Sequence, residues 1–327
     1  MVGLTRRTVL ATLATFAVSP ARADEYPARA VTIVVPFTPG GAGDLLARMV
    51  GARLEQKWGK PFVIENRPGA GSIIGASTVA KAQPDGYTLL IAPSGTLAVN
   101  GALYKSLPYD PLGDFVPLAL AAQTPFALVL NPSLPVTSVP ELVTYAKAKG
   151  EPLTYATVGP GLPHHLFGEL FKTMTGIAMT PVPYKGSLPA LNDVIAGHVP
   201  LMFCDLGPAG PMITSGKVRA LGVTTKTRVA AVPDVPPLAE VGVPGFDAAS
   251  WQMFLAPAKT PPEVVQKLHT ELKATLAQAE IGDLISKNGM VPMENTSVAA
   301  LQAFVKSEVT RWGKVVQDAG IAQSVSQ

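Results

Sequence analysis

From residue 31 onward, short aliphatic or β-branched runs alternate with longer stretches of helical spacing, and Gly/Pro-rich punctuation separates them. VTIVV (31–35) predicts a strand, PFTPGGAG (36–43) a loop, and DLLARMVGARLEQKW (44–58) a helix. Leu45, Met49, Ala52 and Leu54 are the expected apolar face of that helix. PFVIEN (61–66) predicts a second strand, RPGAGS a loop, and IIGASTVAKA (73–82) a helix. After the PDG turn, YTLLIA (87–92) is a third strand ending in PSGT. The order β-α-β-α-β predicts a parallel sheet in a doubly wound α/β fold.

The same order returns further along. LTYATV (153–158) is a strand, GPGLPHH a loop, and LFGELFKTMTG a helix stopping at Gly176. MTPVPY, KGS and LPALNDVIAG repeat strand, loop and helix, and VPLMFC (199–204) is a strand followed by a DLGPAG loop. The order of elements repeats while the residues do not, which predicts two similar lobes. The apolar run in ALAAQTPFALVLNPSLP (119–135) is placed to cross between them, and AASWQMFLAP (248–257) to cross back. RALGVTT adds a strand, 230–246 is Pro-rich and loop-like, and two helices close the chain (261–278 and 297–317). Thr296 or Ser297 is the N-cap of the last one. The expected division is 24–124 with 248–327 as lobe one and 125–247 as lobe two. Ligands of open α/β sheets bind beyond the carboxyl ends of strands, so a cleft lined by both sets of strand ends is expected.

Composition narrows the function. The 327 residues are 47% apolar and 15% charged, which is globular. Of 26 basic and 23 acidic residues, Arg6, Arg7 and Arg22 lie in a start without acids, so the remainder is balanced. That argues against a nucleic-acid surface. Residues 1–23 have a basic start, an apolar stretch from Val9 to Val18, and Ala21-Arg22-Ala23, the pattern of an export signal cleaved before Asp24. Thr5-Arg6-Arg7-Thr8-Val9-Leu10 fits the twin-arginine route as well as the general secretory one. The expected location is the periplasm. Cys204, the only cysteine, excludes an intramolecular disulfide; ending an apolar run, it is expected to be buried.

Three chemistries compete for the glycine turn. Gly41-Ala42-Gly43 between strand and helix, with Glu65 ending the next strand, approaches a dinucleotide fingerprint, but Leu46 stands at the third glycine position. Hydrolysis lacks a G-x-S-x-G elbow around Ser94 or Ser72. His164, His165, His198 and His269 form no metal-ligand spacing, and there is no G-K-[ST] for a P-loop. The third chemistry is anion capture by unpaired N–H groups at a helix start, where glycines allow close approach and no Lys or Arg is required.

Eight motifs in order then carry a family resemblance: YPARAVTIVVPFTPGGAGD, VIENRPGAGSIIGA, PDGYTLLIAPSGTLAVN, LPYDPLGDFVPLAL, YATVGPGLPHHLFGELF, VPYKGSLPALNDVIAGHV, KVRALGVTT and FDAASWQMFLAPAKTP. From about Tyr26 to Gly320 the chain resembles the Bug family, the extracytoplasmic solute receptors of tripartite tricarboxylate transporters. The resemblance implies a two-lobed periplasmic binding protein, type II-like, with a mainly parallel sheet in each lobe. It implies a monomer without cofactor, metal or catalysis. Such a receptor closes like a flytrap on a small carboxylate (a di- or tricarboxylate, amino acid or aromatic acid) and delivers it to membrane permease subunits. Carried over by motif, the ligand loops are Phe37, Thr38, Pro39, Gly40, Gly41, Ala42, Gly43 and Asp44; Ser94, Gly95 and Thr96; and Thr157, Val158, Gly159, Pro160, Gly161 and His165, with Lys185 and Asp205 at the next strand ends.

Several roles stay open at this level. Asp44 either favours a helix start or meets ligand water. Asp205 repels a carboxylate unless it is paired or the ligand carries an amine. Lys185 and Phe37 suit the cleft or the scaffold equally, and His164 and His165 suit loop or core as well as ligand. Leu162 replaces a hydroxyl residue usual in the family, Pro160 and Pro163 stiffen that turn, and Cys204-Asp205 replaces a usual Asp-Asn. These departures predict a less polar cargo, an aromatic acid with Phe37 against its ring. The competing functions are a sensing receptor for a signalling partner and a periplasmic enzyme acting on a small carboxylate.

Overall fold

The computed structural model describes residues 26–326. The export signal expected at 1–23 lies outside them. The strands are β1 (Val31–Val35), β2 (Phe62–Asn66), β3 (Thr88–Pro93), β4 (Phe115–Thr124), β5 (Phe126–Leu130), β6 (Leu153–Thr157), β7 (Met179–Pro183), β8 (Leu201–Asp205), β9 (Arg219–Val223), β10 (Ser250–Pro257) and β11 (Val291–Pro292). The helices are α1 (Ala42–Trp58), α2 (Ile73–Ala80), α3 (Asn100–Leu103), α4 (Val139–Ala148), α5 (Pro163–Thr175), α6 (Ser187–Ala196), α7 (Leu206–Thr214), α8 (Pro262–Leu276), α9 (Ala279–Lys287) and α10 (Val298–Asp318). A π-turn, Gly95–Val99, leads into α3.

These elements build two sheets. One has the order β11-β4-β10-β3-β1-β2, the other β7-β6-β8-β5-β9. Each is mixed. β1 pairs in parallel with β2 and β3, and β6 with β7 and β8. The strand beside each parallel trio is antiparallel and arrives from the other sheet: β10 against β3, and β5 against β8. β4 and β5 are separated by Pro125 alone, so the first crossing is made in one residue. On the return, Ala248 still donates its N–H to Thr224 O beside β9 at 2.8 Å, two residues before β10 enters the first sheet.

β1 is nearly dry because helices cover it, as a β-branched run inside a parallel sheet should be. α1 ends at Gly59 in the left-handed conformation, its N–H on Glu55 O. The buried face of α1 is Leu46, Ala47, Val50, Gly51 and Leu54. This corrects the expected stripe: Leu45 and Met49 are half-exposed and Ala52 is exposed. The helix is rotated because Gly51 admits Ile64 and Phe62 close to its backbone, a contact that small residues make and hydropathy does not register. α4, α9 and β11 are additional to the sequence reading. The expected DLGPAG loop is helix α7, since Pro208 lies in the first turn, where its missing N–H would have no helical partner. Cys204 is fully buried, and burial pushes its thiol well above the usual range.

The largest apolar cluster is continuous between the lobes. It runs from Val34 and Leu90 through Phe126 and Phe167 to Phe203 and Phe246, with Trp312 of α10 in its path. No helix among the described residues is long and apolar enough to cross a membrane.

Candidate functional site

A cavity of about 390 Å³ lies between the two sheets. Strand ends open into it, as the doubly wound order requires. From lobe one it receives Phe37, Thr38, Gly41, Ala42, Gly43 and Asp44 after β1, Gly71 and Ser72 after β2, and Pro93, Gly95 and Thr96 after β3. From lobe two come Val158, Pro160, Gly161, Leu162, Pro163 and His164 after β6, Ser187 after β7, and Asp205 at the end of β8. The crossing strands supply Thr124, Phe126, Ser250 and Gln252. Among the described residues no Lys or Arg lines it.

The helices that start at this cavity, α1, α2, α5, α6 and the π-turn, have no side-chain cap. Elsewhere α4 and α10 are capped by Ser138 and Ser297, while α8 and α9 are uncapped as well, so it is the convergence of the starts on one cavity that sets the first group apart. Uncapped starts leave N–H groups and the positive end of each helix toward the cavity.

The first loop is held from behind. Asp44 is buried; its Oδ2 accepts the Gly40 N–H and Arg48 Nε, and its Oδ1 accepts Arg48 Nη2 and Asn66 Nδ2, all at 3.0 Å. Asn66 Nδ2 also donates to Phe37 O at 3.0 Å. Burial pushes the Asp44 carboxyl up, but these hydrogen bonds outweigh it and hold it below the ordinary range. Asp44 therefore anchors the loop with its charge already matched by Arg48. Behind the β3 loop, Ser94 Oγ and Ser250 Oγ lie 3.0 Å apart, and Ser72 Oγ and Thr96 Oγ1 2.7 Å apart. Asn100 Nδ2 reaches Gly71 O at 3.1 Å and Tyr109 Oη at 3.1 Å.

Of the residues expected from sequence, Phe37, Thr38, Gly41, Ala42, Gly43, Asp44, Gly95, Thr96, Val158, Pro160, Gly161 and Asp205 line the cavity. Pro39, Gly40, Ser94, Thr157, Gly159, His165 and Lys185 do not. Pro39 and Gly40 are exposed on the outer turn, Thr157 is buried, and Lys185 is exposed. His165 turns inward, where its Nδ1 accepts the Gly161 N–H at 3.2 Å, and burial lowers its pKa. Its neighbour His164 takes the cavity position instead. The sequence reading missed Ser72, Asn100, Tyr104, Thr124, Phe126, Ser187, Ser250 and Gln252, which add hydrogen-bonding groups to a wall that is still mainly apolar.

Ser187, His164 and Asp205 meet on the lobe-two wall. Ser187 Oγ lies 2.8 Å from His164 Nε2 and donates to Asp205 Oδ1 at 2.8 Å; His164 Nε2 is 3.3 Å from the same Oδ1. A Ser-His-Asp catalytic relay needs serine on one ring nitrogen and carboxylate on the other. Here both partners share Nε2, and the serine proton goes to the carboxylate, so the histidine is not placed to activate Ser187. Among the described residues no group of three or more His, Cys, Asp or Glu is arranged to hold a metal.

A family model described as tripartite tricarboxylate transporter family receptor matches residues 46–321. Protein BugT of Bordetella pertussis is 36% identical over 92% of this chain and 93% of its own. Among solved structures, R. palustris Rpa4515 with adipate is 43% identical, with TM-score 0.82 over 91% of this chain and 99% of that one. MatC from Rhodopseudomonas palustris with bound malate is 33% identical, with TM-score 0.78 over 89% and 100%. The two sheets, the crossing strands and the interlobe cavity thus have the architecture of a periplasmic binding protein, and the chain belongs to the tripartite tricarboxylate transporter receptor family, with the Bug proteins among its relatives.

Proposed function

We propose that this protein is an exported receptor that captures a small carboxylate between its lobes and delivers it to a tripartite tricarboxylate-type permease. One observation carries the reading: uncapped helix starts and glycine turns from both lobes open into a single cavity that no Lys or Arg of the described residues lines. Backbone N–H groups of 41–43, 95–96, Val158 and His164 are the binding groups, directly or through water; Pro160 and Pro163 carry no N–H, and the Gly161 N–H is already given to His165. The charge of an anion there is met by helix ends, which need no side-chain cation. The solved relatives with adipate and malate support the ligand class. The relatives solved with adipate and malate favour an aliphatic acid over the aromatic one suggested by the loop departures. Lobe one is 24–124 with 248–327, lobe two 125–247, and the permease sees the closed form.

The test is calorimetric titration of the purified protein, first unfolded and refolded to strip any retained ligand. The panel is mono-, di- and tricarboxylates, amino acids and aromatic acids. Saturable binding of one carboxylate class, with a thermal midpoint that rises with its concentration, is the expected result. Absence of binding to every member overturns the ligand class. Uptake of the bound acid by cells with and without the cognate permease separates delivery from sensing, since a sensor leaves uptake unchanged when the permease is removed.

A further inference from the structure

A single titratable ring, turned away from the cleft, holds the loop between β6 and α5. His165 lies in the first turn of α5, is 6% exposed, and places Nδ1 3.2 Å from the Gly161 nitrogen. The Gly161 N–H donates, so Nδ1 holds its lone pair and the neutral ring carries its proton on Nε2. Nε2 lies 3.6 Å from Glu169 Oε1. A flipped ring would set carbon atoms at both places, so the two partners fix one orientation. Pro160 and Pro163 have no N–H to give. Among the described residues no other side chain bonds the backbone of 158–162. Gly161 is also where this loop meets lobe one, packed on the Leu103 side chain.

The groups around the ring hold it whichever charge it has. Glu169 is buried; its Oε1 accepts Tyr155 Oη at 2.7 Å and its Oε2 accepts Lys172 Nζ at 2.6 Å. Burial lowers the pKa of His165 most, Glu169 raises it and Lys172 lowers it again, which leaves it beneath the ordinary 6.5. The other elements packed on α5 bring Tyr155 of β6, Cys204 and Asp205 of β8, and Glu308 and Arg311 of α10, while β7 has no titratable side chain. Asp205 is engaged by His164 and Ser187, and Glu308 by Trp251, Trp312 and Arg311. The Cys204 thiol packs in a separate apolar cluster.

We infer that His165 is an acid-released catch: protonation of its ring frees the loop that carries Gly161 and lets the cleft open. A proton on Nδ1 sets two N–H donors against each other across 3.2 Å. The ring stays with Glu169, whose attraction grows with the charge, so the loop is what moves, and Gly161 leaves Leu103. Once the loop has moved, Nδ1 faces water and takes a proton at the ordinary value. The neutral ring therefore favours the closed form fully above 6.5, and that advantage is lost as pH falls through the lower value of the closed form. By the same linkage, a ligand that closes the cleft expels the proton. The movement of the loop stands apart from the receptor reading above; its effect on affinity rests on that reading.

Nitrogen NMR of residues 24–327 tests the catch directly. At neutral pH the His165 ring should show a protonated Nε2 and a bare Nδ1. On acidification the Gly161 amide should shift with the same midpoint as the ring, beneath 6.5. Calorimetry with adipate then reads the effect on the cleft. Between about pH 7.5 and about pH 5, affinity should fall about tenfold further in the parent than in His165→Gln. The glutamine oxygen can accept the Gly161 N–H at either pH, so that variant keeps only the losses due to adipate itself, His164 and Asp205. A ring with its proton on Nδ1 at neutral pH, a ring still neutral at about pH 4.5, or a ring that titrates without moving Gly161 overturns the catch. Equal pH slopes in parent and variant overturn its hold on the ligand. If His165→Gln does not fold, the ring and amide titrations of the parent decide. If adipate binds at no pH, the proposed cargo is wrong, and the same two titrations still decide the catch.

Discussion

Gly161 of the lobe-two loop packs its Cα against the Leu103 side chain of lobe one, with no room for a Cβ between them, at φ +71°. Two costs attend a substitution there: left-handed strain of roughly 1–2 kcal/mol, and a steric push across the cleft. Gly150 separates them, since its φ is +75° and nothing lies within 4 Å of an added Cβ. In urea denaturation Gly161→Ala should lose more stability than Gly150→Ala, which carries the strain alone. Only Gly161→Ala should weaken ligand binding, by about tenfold, which corresponds to about 1.4 kcal/mol. Equal affinities in the two variants would show that the Leu103 contact plays no part in closure.

Gly41 offers the complementary experiment. It precedes α1 with an ordinary φ of −80°, lines the cavity, and has open space where a Cβ would stand. Gly41→Val should therefore leave stability within about 0.5 kcal/mol while filling the space beside the α1 start. Ligand affinity should fall at least tenfold in calorimetry. Gly40→Val should behave oppositely, because Gly40 has φ +91° and lies outside the lining: stability falls and affinity changes little in the folded fraction. Unchanged affinity in Gly41→Val would remove the α1 start from the binding surface.

How much of this was legible in the sequence depended on the kind of signal. Strands announced themselves as β-branched runs closed by glycine, so the loops after β1, β3 and β6 were found by pattern. The buried face of α1 was misplaced because Ala47 and Gly51 are buried by close packing, which hydropathy undervalues. α4 carries a capping-box pattern, Ser138 to Glu141, whose carboxylate accepts the Thr137 N–H at 2.6 Å, but its ten residues bury only Val139, Leu142 and Ala146, too few to mark a helix by pattern. The wall residues Thr124, Phe126, Ser250 and Gln252 had no local mark. They are single residues at strand ends, brought to the cavity only because β5 and β10 cross between sheets. His164 and His165 differ by one helical step, about 100°, so which of them faces the cavity is decided by the docking of α5 and not by its composition.

Asp44 gives the fold an acid-sensitive loop. Its folded pKa lies below the ordinary value, so its stabilising contribution is complete above that value and is lost as pH falls through the folded pKa. Asp44→Ala should cost about 1–3 kcal/mol at neutral pH, because Gly40 N–H, Asn66 and Arg48 all lose their acceptor. The gap between variant and parent should close as pH is lowered beneath 3.8, the ordinary value for this carboxyl. Urea midpoints measured from neutral pH down to acid check both statements. A gap independent of pH would mean that the carboxylate charge contributes nothing to the loop.

Glu308 ties the return strand to the helix that bridges the lobes. Its Oε2 accepts Trp251 Nε1 at 2.9 Å and Trp312 Nε1 at 3.0 Å, and Arg311 reaches Oε1 at 3.3 Å. Trp251 lies on β10, whereas Trp312 stacks on Phe167 of α5 with centroids 5.6 Å apart at 28°. Glu308 is 7% exposed, so removing it strands two indole N–H groups in the core. Glu308→Leu should destabilise by about 2–4 kcal/mol, since it leaves two buried neutral donors unpaired at about 1–3 kcal/mol each. Glu308→Gln keeps one oxygen that both indoles can share, and should cost only about 1 kcal/mol. If the leucine variant lost no more than the glutamine one in urea denaturation, the shared carboxylate would not be the tie between β10 and α10, and their packing would rest on the apolar rings alone.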